Sequence, residues 1–279
     1  VKRAPEALEE SLRAIPGVAD VQTTVEHVVR VRVEGVSDPI VGRLIGLDDR
    51  APPRMNRVVV ASGRAPSLGE SGARGDGRIE ALVSAGFADA RNLKPGDTVS
   101  ALINGKERGL LIVGTALSPE YIFASLGGHP DMRGFGVFWV DRDTLAAAYD
   151  MDGAFTQVAA KLAPGASERD VVAQLTRRLG PYGVGEAHGR EDQTSHSMLD
   201  AEIRQQEVLG TILPSIFLGV AAFLLNVVVS RLVSTQREQV AALKALGYPN
   251  TSIAAHYLKL VLIIVAAGFG LGVWLGSAL

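Results

Sequence analysis

The sequence predicts an α+β domain, a split βαβ layer with an inserted β-rich subdomain, followed by transmembrane α-helices. Three observations carry this. The 279 residues are 47 % hydrophobic with a mean hydropathy of +0.19, yet nearly all the excess lies after residue 207. Residues 4–47 read as helix, Pro-Gly turn and alternating strands, an α+β order. Residues 155–187 repeat strand, helix and strand, a natural partner for that first layer.

In order along the chain, residues 4–14 (APEALEESLRA) form a short helix that Ile15-Pro16-Gly17 ends, because Pro disfavours helix before it and Gly turns freely. Val21, Val25, Val29, Val31 and Val33 mark one or two strands within 18–36, and residues 40–47 a further one. Residues 58–79 are rich in Gly, Ser, Pro and Arg and read as a loop between two lobes. Its Arg74-Gly75-Asp76 matches an integrin-binding signal, a three-letter pattern that chance supplies easily in a Gly-rich loop.

Residues 80–91 read as a strand end and a short helix, and Leu93-Lys94-Pro95-Gly96-Asp97 as a tight turn. Val99–Ile103 and Leu110–Val113 flank Asn104-Gly105, the strongest hairpin signal in the chain. With a strand at 135–140 (FGVFWV), this β-rich insertion, about 60–150, is expected to be a small barrel or sandwich. A strand at 155–162 precedes an amphipathic helix at 167–179, which Ser167 can cap and whose Val171, Val172, Leu175 and Leu179 share a face. Gly183–Ala187 offers a last short strand. The domain is expected to cover 1–205, with 189–207 as a polar connector.

Val208–Ser230 carries no Asp, Glu, Lys or Arg. An uncharged run of about 22 residues rises roughly 33 Å as a helix, enough to cross a bilayer core of about 30 Å. Pro214 is tolerable one turn into such a helix. Residues 208–230 are therefore a predicted transmembrane helix, 231–259 a loop bearing an amphipathic helix that stops at Gly247, and 260–279 a second transmembrane helix. Lys and Arg gather on the cytoplasmic side of membrane helices. Arg231, Arg237, Lys244 and Lys259 follow the first span, against Arg190 and Arg204 before it, so 231–259 is expected inside and 1–205 outside. Residues 1–18 carry no signal-peptide core, so an outer domain needs a further membrane helix upstream of Val1 and the sequence reads as a fragment. Gly268, Gly272 and Gly276 line one face of the second span, where another helix could approach closely; the plainer reading is Gly tolerated in lipid.

Arg237–Tyr248 (REQVAALKALGY), between two membrane helices, resembles the signature loop of FtsX-like ABC transporter permeases, which include MacB-type efflux and lipoprotein-release permeases. Upstream, Gly63-Arg64-x-Pro66, Ile79–Ser84 and Leu93–Asp97 resemble the periplasmic core domain of that family. The resemblance implies four membrane helices per permease, of which two are present here. It also implies a second permease copy, homo- or heterodimeric, separate ABC ATPase subunits, and mechanotransmission from the coupling loop to an outer domain. The ATPase-coupling residues would be Arg237, Glu238, Val240, Leu243, Lys244, Leu246 and Gly247. On residue pattern alone, that amphipathic piece, with Val233, Val240, Leu243 and Leu246 on one face, reads equally as a docking helix or as a helix lying on lipid headgroups. The expected setting is a bacterial inner (plasma) membrane, with membrane lipid around the helices and a periplasmic adaptor as a further candidate partner.

Several chemistries find no support. No Gly-x-x-x-x-Gly-Lys-[Ser/Thr] is present, and Gly105-Lys106 is followed by Glu107 in a hairpin turn, so no ATPase activity is expected of this chain. Gly270-x-Gly272 lies in an apolar run and not after a strand, and no Ser sits in a Gly-x-Ser-x-Gly elbow. His188, Glu191, Asp192 and His196 match no standard zinc spacing. The lack of cysteine removes disulfides and thiolate ligands. A net charge of −2 with 5 % aromatics gives no case for nucleic acid. No enzyme, cofactor or metal is expected. The two functions that stay open are a permease subunit that moves its outer domain for export or release of a substrate, and a membrane-anchored sensor or scaffold whose outer domain binds a ligand.

Overall fold

The structure, a computed structural model, describes residues 1–38, 40–48, 50, 54–69, 77–122, 130–185 and 187–278; Arg74-Gly75-Asp76 lies outside them. The described residues fall into two units, Val1–Glu202 and Ile203–Leu279.

The first unit is built on β3 (Glu26–Arg32), β4 (Ile40–Leu47), β5 (Val59–Gly63), β6 (Ile79–Ser84), β7 (Thr98–Ile103), β8 (Lys106–Leu117) and β9 (Phe135–Asp141). Their order is β5-β8-β6-β9-β4-β3-β7, and β7 pairs back onto β8. Six strands thus close on themselves as a barrel, with β5 an added edge on β8. The pairings β4–β9 and β6–β8 are parallel and the others antiparallel. The 12-residue β8 makes closure possible, since its first half pairs with β7 and its second half with β5.

Period-2 alternation fills the barrel. Val29 and Val31 of β3, Val99, Ala101 and Ile103 of β7, Leu110 and Ile112 of β8, and Phe138 and Val140 of β9 belong to one buried cluster. Gly42 of β4 sits among them because a Cβ there would meet Val31 and Phe138. The hairpin β7–β8 turns on Asn104 (φ 44°) and Gly105 (φ 74°), both left-handed as a type I′ turn requires.

A smaller layer draws on both ends of the domain. From the start come β1 (Ala4–Pro5), α1 (Leu8–Arg13) and β2 (Val18–Thr24); from the end come β10 (Ala154–Phe155), β11 (Gln157–Leu162) and α4 (Glu168–Leu179). β1 pairs with β10 and β2 with β11, and Ala4, Leu12, Ile15, Val21, Phe155 and Leu179 form its core. Ser167 caps α4, accepting from the Asp170 N–H at 3.4 Å. α2 (Ala85–Arg91) and α3 (Arg142–Ala148) pack on the barrel. Arg142 ties the two layers: its guanidinium donates to the Thr23 carbonyl at 3.0 Å and to Glu6 at 2.5 Å.

Three details differ from the sequence reading. The large sheet starts at Glu26, not near residue 60, because β3 and β4 join the barrel while β1 and β2 stay in the small layer. Within 58–79, Val59–Gly63 is a strand and not loop, paired to Leu117–Gly114. No strand forms among the described residues of 183–187.

The second unit holds most of α5 (Thr194–Thr235), then α6 (Arg237–Ala245) and α7 (Asn250–Ala278). α5 runs through Pro214. Ser195–Thr235 and Asn250–Ser277 are long and apolar enough to cross a membrane. Phe217, Phe223, Ile263, Phe269 and Trp274 are all exposed on them, which suits lipid and not water. The predicted loop 231–259 is therefore mostly helical.

Candidate functional site

The candidate site is the joint of α5, α6 and α7. α5 ends at a single non-helical residue, Gln236 (φ −97°, ψ 20°), after which α6 starts at once. The Tyr257 hydroxyl of α7 donates to the Gln236 side-chain oxygen at 2.8 Å, which holds this break. α6 ends in a Schellman turn: the Tyr248 N–H donates to the Leu243 carbonyl at 3.1 Å and the Gly247 N–H to the Lys244 carbonyl at 3.0 Å. Gly247 stands at φ +91°, where a side chain is strained. Gly247→Val is expected to cost about 1–2 kcal/mol locally and to speed amide exchange at Tyr248, measurable by hydrogen exchange of the full chain in detergent.

The expected coupling residues separate into two groups. Val240 and Lys244, four apart on α6, line a groove of about 440 Å³ with Val233, Ile253, Tyr257 and Val261. Glu238, Leu243 and Leu246 are exposed, Leu246 by 76 %. The single apolar face expected from Val233 to Leu246 is thus divided: Val233 lies on α5 beyond the break, Val240 turns to α7, and Leu243 and Leu246 face away from the fold. Arg237 is exposed at the first position of α6. On α7, Gly268, Gly272 and Gly276 share one face, and a Cβ added at any of them meets nothing within 4 Å. Among the described residues no helix packs against that face.

Sequence reasoning missed an ion pair between the Gly63-Arg64-x-Pro66 stretch and a buried carboxylate. Gly63, at φ +76°, lets the chain leave β5 hard against the Val113 carbonyl. Arg64 then reaches the Glu80 carboxylate with both terminal nitrogens, at 2.7 and 2.5 Å, and the Ser67 N–H and hydroxyl add 2.9 and 3.0 Å. Glu80 is 2 % exposed. The Arg64 hydrogen bonds outweigh its burial and hold its pKa down to about 2. The signal was present: an acidic residue inside the strand IEALVS needs a cation when buried. Among the described residues, His188, Glu191, Asp192 and His196 included, no group of three or more His, Asp and Glu that could hold a metal forms.

An ordered α+β domain followed by two apolar helices joined through a short amphipathic one is the build of an integral membrane protein. Residues 211–279 match the family described as FtsX-like permease C-terminal. The match contains α6 and its Schellman turn, so the resemblance drawn from Arg237–Tyr248 is borne out there. No protein of curated function matches the chain. Two solved structures are similar to part of the chain. The extracellular domain of the noncanonic ABC-type transporter YknZ from Gram-positive bacteria is 14 % identical with a TM-score of 0.39, over 67 % of this chain and 88 % of that one. The periplasmic region of MacB from Actinobacillus actinomycetemcomitans is 12 % identical with a TM-score of 0.37, over 64 % and 76 %. The likeness is distant, and the topology of the barrel and its small layer rests on the pairings given above.

Proposed function

We propose that this chain is a permease subunit of an ABC transporter, with residues 1–205 outside the cytoplasm and 231–259 facing it across the bacterial plasma membrane. The supporting observation is α6: a nine-residue helix set between two apolar spans, ended by a Schellman turn, with Glu238, Leu243 and Leu246 directed away from its own fold. An exposed leucine pair beside charge is what a docking helix offers to a groove on a partner. The four basic residues after the first span, against two before it, support the orientation. The partner is a separate ABC ATPase subunit, whose closure displaces α6 and, through α5, the outer domain. A second permease copy would pack on the open Gly268, Gly272 and Gly276 face.

Leu246→Asp tests this reading, because the side chain is exposed and its loss removes no internal packing. The variant is expected to insert in the membrane as the parent does and to lose co-purification with the ATPase, as is Leu243→Asp. Undiminished co-purification of both variants overturns the docking role. Transport of a cargo by reconstituted vesicles separates a permease from a membrane-anchored sensor.

A further inference from the structure

A cavity of about 200 Å³ lies in the first unit, between the small layer and the outer face of the barrel. Trp139 of β9 and Tyr121 form an aromatic wall, ring centroids 6.3 Å apart and edge to face. Glu26, at the start of β3, and Glu120, in the turn after β8, supply carboxylates. The other charged groups of the lining have oppositely charged partners, some of them outside the cavity. Arg142 holds Glu6 and lies 3.9 Å from Asp48, Arg54 reaches Asp20 at 3.2 Å, and Glu9 is bound by Arg13 and Thr23.

Glu26 and Glu120 have less. Arg43 of β4 sits 3.6 Å from Glu26, stacks over the Tyr121 ring, and is the one guanidinium acting on both carboxylates. Thr24 also donates to Glu26, and Asn56 to Glu120 at 2.7 Å, but these are neutral. Glu26 and Glu120 thus share the one guanidinium of Arg43. An aromatic wall next to two carboxylates is the recognition chemistry of an organic cation.

We propose that this cavity is a binding site for a small aromatic amine, its ammonium group set between Glu26 and Glu120 and its ring against Tyr121 and Trp139. The cavity has room for several waters or one small organic molecule, and no more. The Glu120 carbonyl accepts a 2.8 Å hydrogen bond from the hydroxyl of Ser195, a 2 % exposed residue in the first turn of α5. A ligand that draws on Glu120 therefore bears on the segment that seats the start of α5.

The groups facing Glu26 are Glu120, Arg43, Thr24 and the Val1 amino group; those facing Glu120 include Asn56, Arg43, Tyr121 and His188. Burial, their first-named cause, pushes both carboxyl pKa values up, Glu26 to about 7. Amine binding is accordingly expected to weaken about tenfold between pH 8 and pH 6, as Glu26 takes up a proton.

The test uses the full chain in detergent carrying Trp274→Phe, which leaves Trp139 the single tryptophan, titrated with phenethylamine while Trp139 fluorescence is read. 2-Phenylethanol and phenylacetate serve as neutral and anionic comparators. The expected result is saturation by the amine at least tenfold tighter than by the alcohol, no response to phenylacetate, and at least tenfold weakening in Glu120→Gln and Glu26→Gln. Equal affinity for amine and alcohol, or no saturation by the amine, overturns the proposal. Full amine affinity in both folded Gln variants overturns it as well. Should either variant not fold, the amine–alcohol ratio of the parent decides alone. No ATPase enters the experiment, so its outcome is separate from that of the permease reading.

Discussion

Arg64→Ala is expected to destabilise the outer domain by about 3 kcal/mol at pH 7, because the Glu80 carboxylate, 2 % exposed, loses the two guanidinium hydrogen bonds that hold its charge. Removing the arginine is worse than removing the glutamate. Arg64 is 52 % exposed and rehydrates if left alone, whereas Glu80, at 2 %, stays in the strand with its charge. The Ser67 N–H and hydroxyl still donate to it. Glu80→Gln keeps the shape, drops the charge and is expected to lose less. In the double variant Arg64→Ala with Glu80→Gln, much of the loss of Arg64→Ala should return, since no buried charge remains.

The pH dependence has a definite sign. Glu80 ionises at about 2 when folded against an ordinary 4.5, so the pair's contribution is complete above 4.5 and is lost as pH falls from there toward 2. Arg64→Ala should flatten that acid limb. Urea unfolding of the full chain in detergent between pH 2.5 and 7, read by Trp139 in the Trp274→Phe background, checks both claims. An equal loss at pH 3 and pH 7 would show that Arg64 acts through packing alone.

Local patterns carried most of the secondary structure, and what they could not carry was partnership. Asn104-Gly105 named its own hairpin because a type I′ turn joins neighbours in sequence. Residues 40–47 read as a strand, but its parallel partner is β9, more than ninety positions on, and nothing in a local apolar pattern selects that partner. Val59–Gly63 was hidden for a related reason. All five residues are exposed, so the strand has no apolar face to announce it and exists because β8 offers a free edge. The joint at α6 was legible down to Gly247, since a left-handed helix stop leaves a Gly in the sequence. The division of its apolar residues was not, because Gln236 breaks the helix without any Pro or Gly to signal it. Glu26, Arg43 and Glu120 meet from three separate elements, so the cavity had no spacing to read.

Glu26→Gln is expected to stabilise the outer domain by about 3 kcal/mol at pH 8 and to leave it unchanged near pH 4. Burial is the main reason the Glu26 pKa rises to about 7; Glu120 adds to the rise and Arg43 opposes it. Below 4.5 the carboxyl is protonated in both folded and unfolded chains, and a neutral Gln is its near equivalent. Between 4.5 and 7 the unfolded chain gives up the proton and the folded one keeps it, so stability falls as pH rises, and above 7 the difference is constant. The rise from an ordinary 4.5 to about 7, at about 1.4 kcal/mol for each tenfold change in acidity, sets the magnitude. Glu120 moves in the same direction, so the observed limb belongs to the pair, and Glu120→Gln should shift its midpoint downward. This slope is opposite to that of Glu80, which leaves the domain most stable near pH 4.5 to 5 as far as these two sites decide it. A bound ammonium favours the ionised carboxylate and offsets the cost. Phenethylamine should therefore raise the melting temperature of the parent at pH 8 and have little effect on Glu26→Gln. A parent whose stability does not change between pH 4.5 and 8, once Glu120→Gln is compared beside it, would show that Glu26 is hydrated and carries no strain of charge.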